Sequence, residues 1–107
     1  MLFRSNPAYS KSPAALAAVG ELQKEMGRQF SSDRYYLDAV RTYGFLISQY
    51  PQHRLAADAL YTVGEIYRVD LENAPEARQA FQKFLEKYPK SSKAAEVAPI
   101  RRPRSHA

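Results

Sequence analysis

The chain has no cysteine and no tryptophan. The first absence excludes disulfides, thiolate metal sites and a cysteine nucleophile, and it leaves the compartment open. Glycine is scarce: Gly20, Gly27, Gly44 and Gly64 are dispersed, with no G-x-G among them, so no phosphate-cradling loop is present. No apolar run approaches the roughly 20 residues of a membrane helix. Residues 1–19 contain no secretory apolar core either, because Asn6, Pro7, Ser10, Lys11, Ser12 and Pro13 interrupt it. Sustained alternation of apolar and polar residues is missing, so no sheet is expected.

What is present suits a folded domain. Of the 107 residues 45% are apolar and 25% charged, a balance that excludes global disorder. The net charge of +5 overstates how basic the folded part is, since Arg101, Arg102 and Arg104 sit together at the end. Residues 1–11 are expected to be a flexible segment and 99–107 a basic tail.

A repeat runs between them. Ala39, Tyr43, Tyr50 and Pro51 return 38 residues later as Ala77, Phe81, Tyr88 and Pro89. Leu16, Val19-Gly20-Glu21-Leu22 return 44 residues later as Leu60, Val63-Gly64-Glu65-Ile66. The six-residue difference predicts a longer loop in the first unit, around Arg28 to Arg34. Each block has helical period. Leu16, Val19, Leu22 and Met26 mark a helix over about 13–27. Tyr36, Val40, Tyr43, Ile47 and Tyr50 mark one over 33–50. Ala56, Leu60, Val63 and Tyr67 mark one over 54–69, and Ala77, Ala80, Phe81, Phe84, Leu85 and Tyr88 one over 75–88. Pro13 and Pro75 suit first turns, while Pro51 and Pro89 stop the helices before them. A fifth helix begins near Ser92 and is cut off at Pro99. The expected fold is all-α: antiparallel helical hairpins stacked as a short solenoid, with units at about 12–51 and 52–89 and a partial third at 90–98.

The order Leu60, Val63-Gly64, Tyr67, Ala77, Phe81, Pro89 resembles the tetratricopeptide repeat, and Leu16, Val19-Gly20, Gln23, Ala39, Tyr43, Pro51 resembles it again. Leu in place of the signature Trp, Gln23 in place of Tyr, and units longer than 34 residues depart from it. Gly20, Gly64, Ala39 and Ala77 are expected to allow close helix approach, and Tyr43 and Phe81 to fill the space between hairpins. Phe84-Leu85-Glu-Lys-Tyr88-Pro89-Lys-Ser-Ser92-Lys-Ala94 is similar to repeats of bacterial cell-envelope proteins. These are the lipoprotein of the outer-membrane barrel-assembly machine, the periplasmic coordinator of the Tol-Pal system, and the region preceding some N-acetylmuramoyl-L-alanine amidase domains. The resemblance implies a non-catalytic protein-interaction scaffold, in the periplasm or envelope, that holds a partner peptide or helix in a concave groove. The alternative it implies is the repeat segment of a cell-wall amidase whose catalytic domain lies outside this chain.

On the same resemblance, Ala17, Glu21 and Lys24 face the groove in the first unit, and Asp58, Tyr61, Glu65 and Arg68 in the second. The competing reading is a solvated helix face carrying i, i+3 ion pairs. Tyr36, Tyr43, Tyr50, Tyr67 and Tyr88 are assigned to the core; Tyr9 and Tyr35 are left open. Catalysis has no foothold: His53 follows a helix stop, His106 is in the tail, Ser31-Ser32 reads as capping, and Glu21 and Glu65 belong to different units. No cofactor, metal or small-molecule substrate is expected, and three tail arginines are too few to argue for nucleic acid. Two units fall short of the three or more that solenoids need. The chain is therefore expected to be part of a longer protein, or to self-associate through its fourth helix.

Overall fold

The computed structural model describes residues 11–94. Residues 1–10, residues 95–98 of the partial third unit and the basic tail lie outside the described residues. Among the described residues four helices run antiparallel in chain order: α1 (Pro13–Phe30), α2 (Asp33–Gln49), α3 (Arg54–Glu65) and α4 (Ala74–Lys87). A π-helical turn, Ile66–Asp70, continues α3. Among the described residues there is no strand, and no helix is long and apolar enough to cross a membrane.

Local chemistry sets the ends. Ser12 Oγ accepts from Ala15 N (3.1 Å) ahead of Pro13, and Asn73 Oδ1 accepts from Glu76 N (3.3 Å) ahead of Pro75. Each cap satisfies one of the free N–H groups of a first turn, where proline sacrifices nothing. His53, expected in an exposed loop, is exposed and caps α3, its Nδ1 accepting from Leu55 N (3.0 Å). Ser31 ends α1 in the left-handed region (φ 49°), and Ser32 N donates to Gly27 O (3.0 Å).

The six additional residues of the first unit form helix where a longer loop was expected. Relative to the second unit, α1 runs four residues further past Gly20 and α2 starts three residues further ahead of Ala39, while the connection shortens from three residues to two. The reason is a second close approach. Tyr43 lies on Gly20 and Tyr36 on Gly27, one heptad apart on each helix, so the antiparallel register continues for two more turns. In the second unit Phe81 lies on Gly64. Tyr43 and Phe81 thus fill the space within their own hairpins, correcting the expectation that they pack between hairpins. Ala39 and Ala77, 0% and 3% exposed, sit in the same seams.

The α1 stripe is also rotated from the expected one. Leu16, Gly20 and Gly27 are buried, Val19 and Met26 are half-buried, and Leu22 is exposed. Small residues admit the rings of α2, so the seam follows glycine and not the bulkiest side chains. On α2 the buried set is Tyr36, Ala39, Tyr43 and Leu46, with Val40, Ile47 and Tyr50 at its edge. One continuous core joins both hairpins, with Leu46, Ile66, Phe81 and Phe84 its largest fully buried side chains.

Candidate partner-binding face

The groove residues named from the sequence fall on α1, on α3 and, for Arg68, on the π turn that continues α3; α1 and α3 are neighbours in the array. Glu21 and Lys24 form an i, i+3 pair (3.7 Å), and Glu65 and Arg68 repeat it one unit later (3.0 Å). All four lie at equivalent positions, 44 residues apart, and so mark one side of the array. Their exposure keeps each pair near the low end of ion-pair energies.

Glu21 is tied to the core as well. Tyr43 Oη donates to Glu21 Oε2 (3.0 Å). Gln23, at the position where the second unit has Tyr67, accepts from Thr42 Oγ1 (2.6 Å) across the hairpin, so a polar bond replaces the signature aromatic there. Tyr61 is half-buried. Its ring packs at 6.0 Å from both Phe81 and Phe84, and Lys93 Nζ stands 5.0 Å from its centroid.

Asp58 lies apart from the paired charges. It lines a pocket of about 570 Å³ at the start of α3 and the end of α4, with Arg54, Lys87, Tyr88, Lys90 and Lys93. Four cations against one carboxylate give that end of the face a positive field. Sequence reasoning missed these cations because they come from three separate segments. The signal available was a lysine or arginine beside each of the two helix stops. Tyr88, on the pocket wall, donates through Oη to Pro51 O (2.8 Å), and Tyr50 makes the equivalent bond to Lys11 O (2.9 Å). Each ties the end of a hairpin's second helix to the backbone just ahead of its first.

The core phenols carry a pH dependence. Burial, and then the Glu21 carboxylate beside it, pushes the Tyr43 hydroxyl far above its usual range. Tyr36 is raised by burial and by Asp70, and Tyr88 by burial. A raised phenol binds its proton more tightly in the folded state. Its contribution is therefore complete below the unfolded tyrosine pKa of about 10 and is lost as pH rises beyond it. Urea midpoints measured from pH 8 to pH 11.5 should be flat to about pH 10 and fall above it, and Tyr43→Phe should make that fall shallower.

Among the described residues no group of three or more His, Asp or Glu side chains is placed to hold a metal ion. The arrangement sets paired charges, the half-buried Tyr61 and a basic pocket along these helices. No curated protein and no solved structure gives a significant match to the chain. Residues 58–91, from within α3 to just past α4, match the tetratricopeptide repeat family model, a span of 34 residues. The first unit, six residues longer between its glycine and its alanine, lies outside that match. The chain thus contains a tetratricopeptide-like repeat region, a kind of array that generally mediates protein–protein interaction and is typically non-catalytic.

Proposed function

We propose that the chain is a non-catalytic interaction scaffold that holds a partner peptide or helix along the α1/α3 face. The observation that carries this reading is the continuity of that face. It runs from the Glu21–Lys24 and Glu65–Arg68 pairs past Tyr61 into the pocket of Arg54, Lys87, Lys90 and Lys93. A partner segment with acidic residues at one end fits this field, and its charges would steer association more than they add affinity. The similarity of the segment around Tyr88-Pro89 to envelope repeats supports a bacterial envelope setting for the partner.

Photocrosslinking from position 68, and separately from position 78 on the outward side of α4, tests this. The α1/α3 face predicts one defined adduct from position 68, lost with Arg54→Glu/Lys87→Glu and weakened by salt, and none from position 78. The same adduct from position 78 alone moves binding to the other side of the array and ends this reading.

A further inference from the structure

The basic pocket at the end of the candidate face continues past its own walls. Lys87 lines it and also lines the next two hollows along the surface, and Pro51 is shared by those two. At this corner Tyr88 Oη donates to Pro51 O (2.8 Å), which fixes the spacing of the ends of α2 and α4. Beyond it lies a crevice bordered by Val40 and Ile47 of α2 and by Leu60 and Val63 of α3. At about 100° per residue Leu60 and Val63 lie roughly opposite Asp58, Tyr61 and Glu65 on α3, so the path has passed to the other side of the array. Gly44 and Ser48 share that crevice with another, bordered by Leu16, Val19 and Phe45. Gly44 raises no side chain between the two, and a Cβ there would meet nothing within 4 Å.

The charge along this path has one sign. The four cations of the pocket are followed by Lys83 beside the first crevice and by Arg41 and Lys11 beside the second. Among the described residues that line the path, Asp58 alone is acidic. Asp38 holds Arg41 (3.0 Å) from outside it and leaves the sum positive. A row of cations over low-dielectric walls focuses a field that draws an anionic partner. The aliphatic crevices then choose among anions. A nucleic acid has no aliphatic side chain to bury in them, whereas a peptide that intersperses carboxylates with apolar residues fills both the field and the crevices.

This chain does not supply such a peptide. Residues 1–10 carry Arg4 as their only charged side chain, and residues 95–107 carry Glu96 against three arginines. A second copy offers no run of carboxylates either. No two acidic residues are adjacent in the sequence, and Glu21, Glu25, Asp38 and Glu65 are each paired on their own helix. The corner also sets the conformation of the occupant. A straight helix does not follow a path that turns round the end of α4, and an extended segment does.

We propose that the acidic segment of the partner does not stop in the pocket but continues in extended form round the corner at Pro51, seating apolar side chains in the crevices on either side of Gly44. This rests on the scaffold reading above and names the partner's chemistry. The probe is a labelled peptide repeating Glu-Glu-Leu over about 15 residues, roughly 50 Å when extended. Fluorescence anisotropy with the full chain should show saturable binding that salt weakens, tighter than binding of poly-glutamate or single-stranded DNA of the same length. Lys83→Glu and Gly44→Gln should each weaken it about fivefold or more with an unchanged circular dichroism spectrum, since both positions are exposed. Arg78→Glu, off the path, should leave it within about twofold. Arg54→Glu reports on the pocket alone. Binding weakened by Arg54→Glu but by neither Lys83→Glu nor Gly44→Gln ends the segment in the pocket; that overturns the extension and leaves the scaffold reading standing. Binding that none of the three weakens, or none at about 1 mM peptide, overturns the extension too, and the crosslink from position 68 then decides the scaffold reading separately. DNA bound as tightly as the peptide, with the same dependence on Lys83, overturns the peptide as occupant.

Discussion

Replacing Phe84 by alanine is expected to lower the unfolding free energy by about 3–5 kcal/mol, the range for emptying a buried aromatic site. Phe84 is fully buried, and its ring lies 6.0 Å from that of Tyr61 and 6.1 Å from that of Tyr88. It therefore joins α3, α4 and the edge of the pocket, and the space it leaves cannot be closed without moving two further rings. Small domains have only about 5–15 kcal/mol in total, so the loss is a large share of it. Urea unfolding followed by circular dichroism should show the midpoint falling by about 2 M or more at an unchanged slope. Phe84→Leu refills most of the volume and should cost less than about 1.5 kcal/mol. If the two variants are equally unstable, the aromatic contacts matter more than the volume.

A substitution at Gly64 should be comparably damaging for the opposite reason. A Cβ placed there would lie 2.5 Å from Phe81 Cε1 and 2.8 Å from Cζ, and Phe81 is 0% exposed. Gly64→Val adds three carbons to a space already occupied by a ring with nowhere to go. Overpacking of this kind costs about 3 kcal/mol, more than the fraction of a kcal/mol that leaving glycine returns in helix propensity. Truncating the ring in the same molecule should relieve the clash, so Gly64→Val with Phe81→Ala should be less unstable than the sum of the two changes by at least about 1 kcal/mol. The comparison glycine is Gly44, where an added Cβ meets nothing within 4 Å. There Gly44→Ala should stabilise by about 0.5–1 kcal/mol, because only the backbone entropy of glycine is at stake. Additive behaviour at Gly64, or destabilisation at Gly44, would show that the hairpin seams are not packed as described.

These two sites mark how far the sequence could be read. The four helices, their proline and serine boundaries and a close helix approach at Gly64 were legible, because period and capping are local signals; that Phe81 is what fills the approach, and not the space between hairpins, was not. The α1 seam was misplaced. Apolar period points to Val19 and Leu22, whereas the structure uses Leu16, the expected Gly20 and, unforeseen, Gly27, glycines whose value lies in what they leave out. The six additional residues were read as loop because Ser31-Ser32-Asp33 looks like a turn, and it is one, of two residues. Without the Tyr36–Gly27 contact in view, nothing local shows that the helices on both sides continue to meet. The π turn at Ile66–Asp70 left no mark in the pattern. Of the candidate face, the charged pairs were legible from their spacing. The basic pocket was not, because Arg54, Lys87 and Lys93 meet only once the hairpin has closed.

The glycine–aromatic seams also bear on how the molecule forms. Each joins two helices linked by a connection of only two or three residues. Closing such short loops costs little entropy, and chains dominated by near-neighbour contacts fold within microseconds to milliseconds. Each hairpin can therefore zip from its connection outward before the two have docked, with the α2–α3 contact made last. Amide exchange should follow the same hierarchy. Protection should be deepest where the rings meet Gly20, Gly27 and Gly64 and shallowest around Pro51, so the array opens as two leaves about the bend between its units.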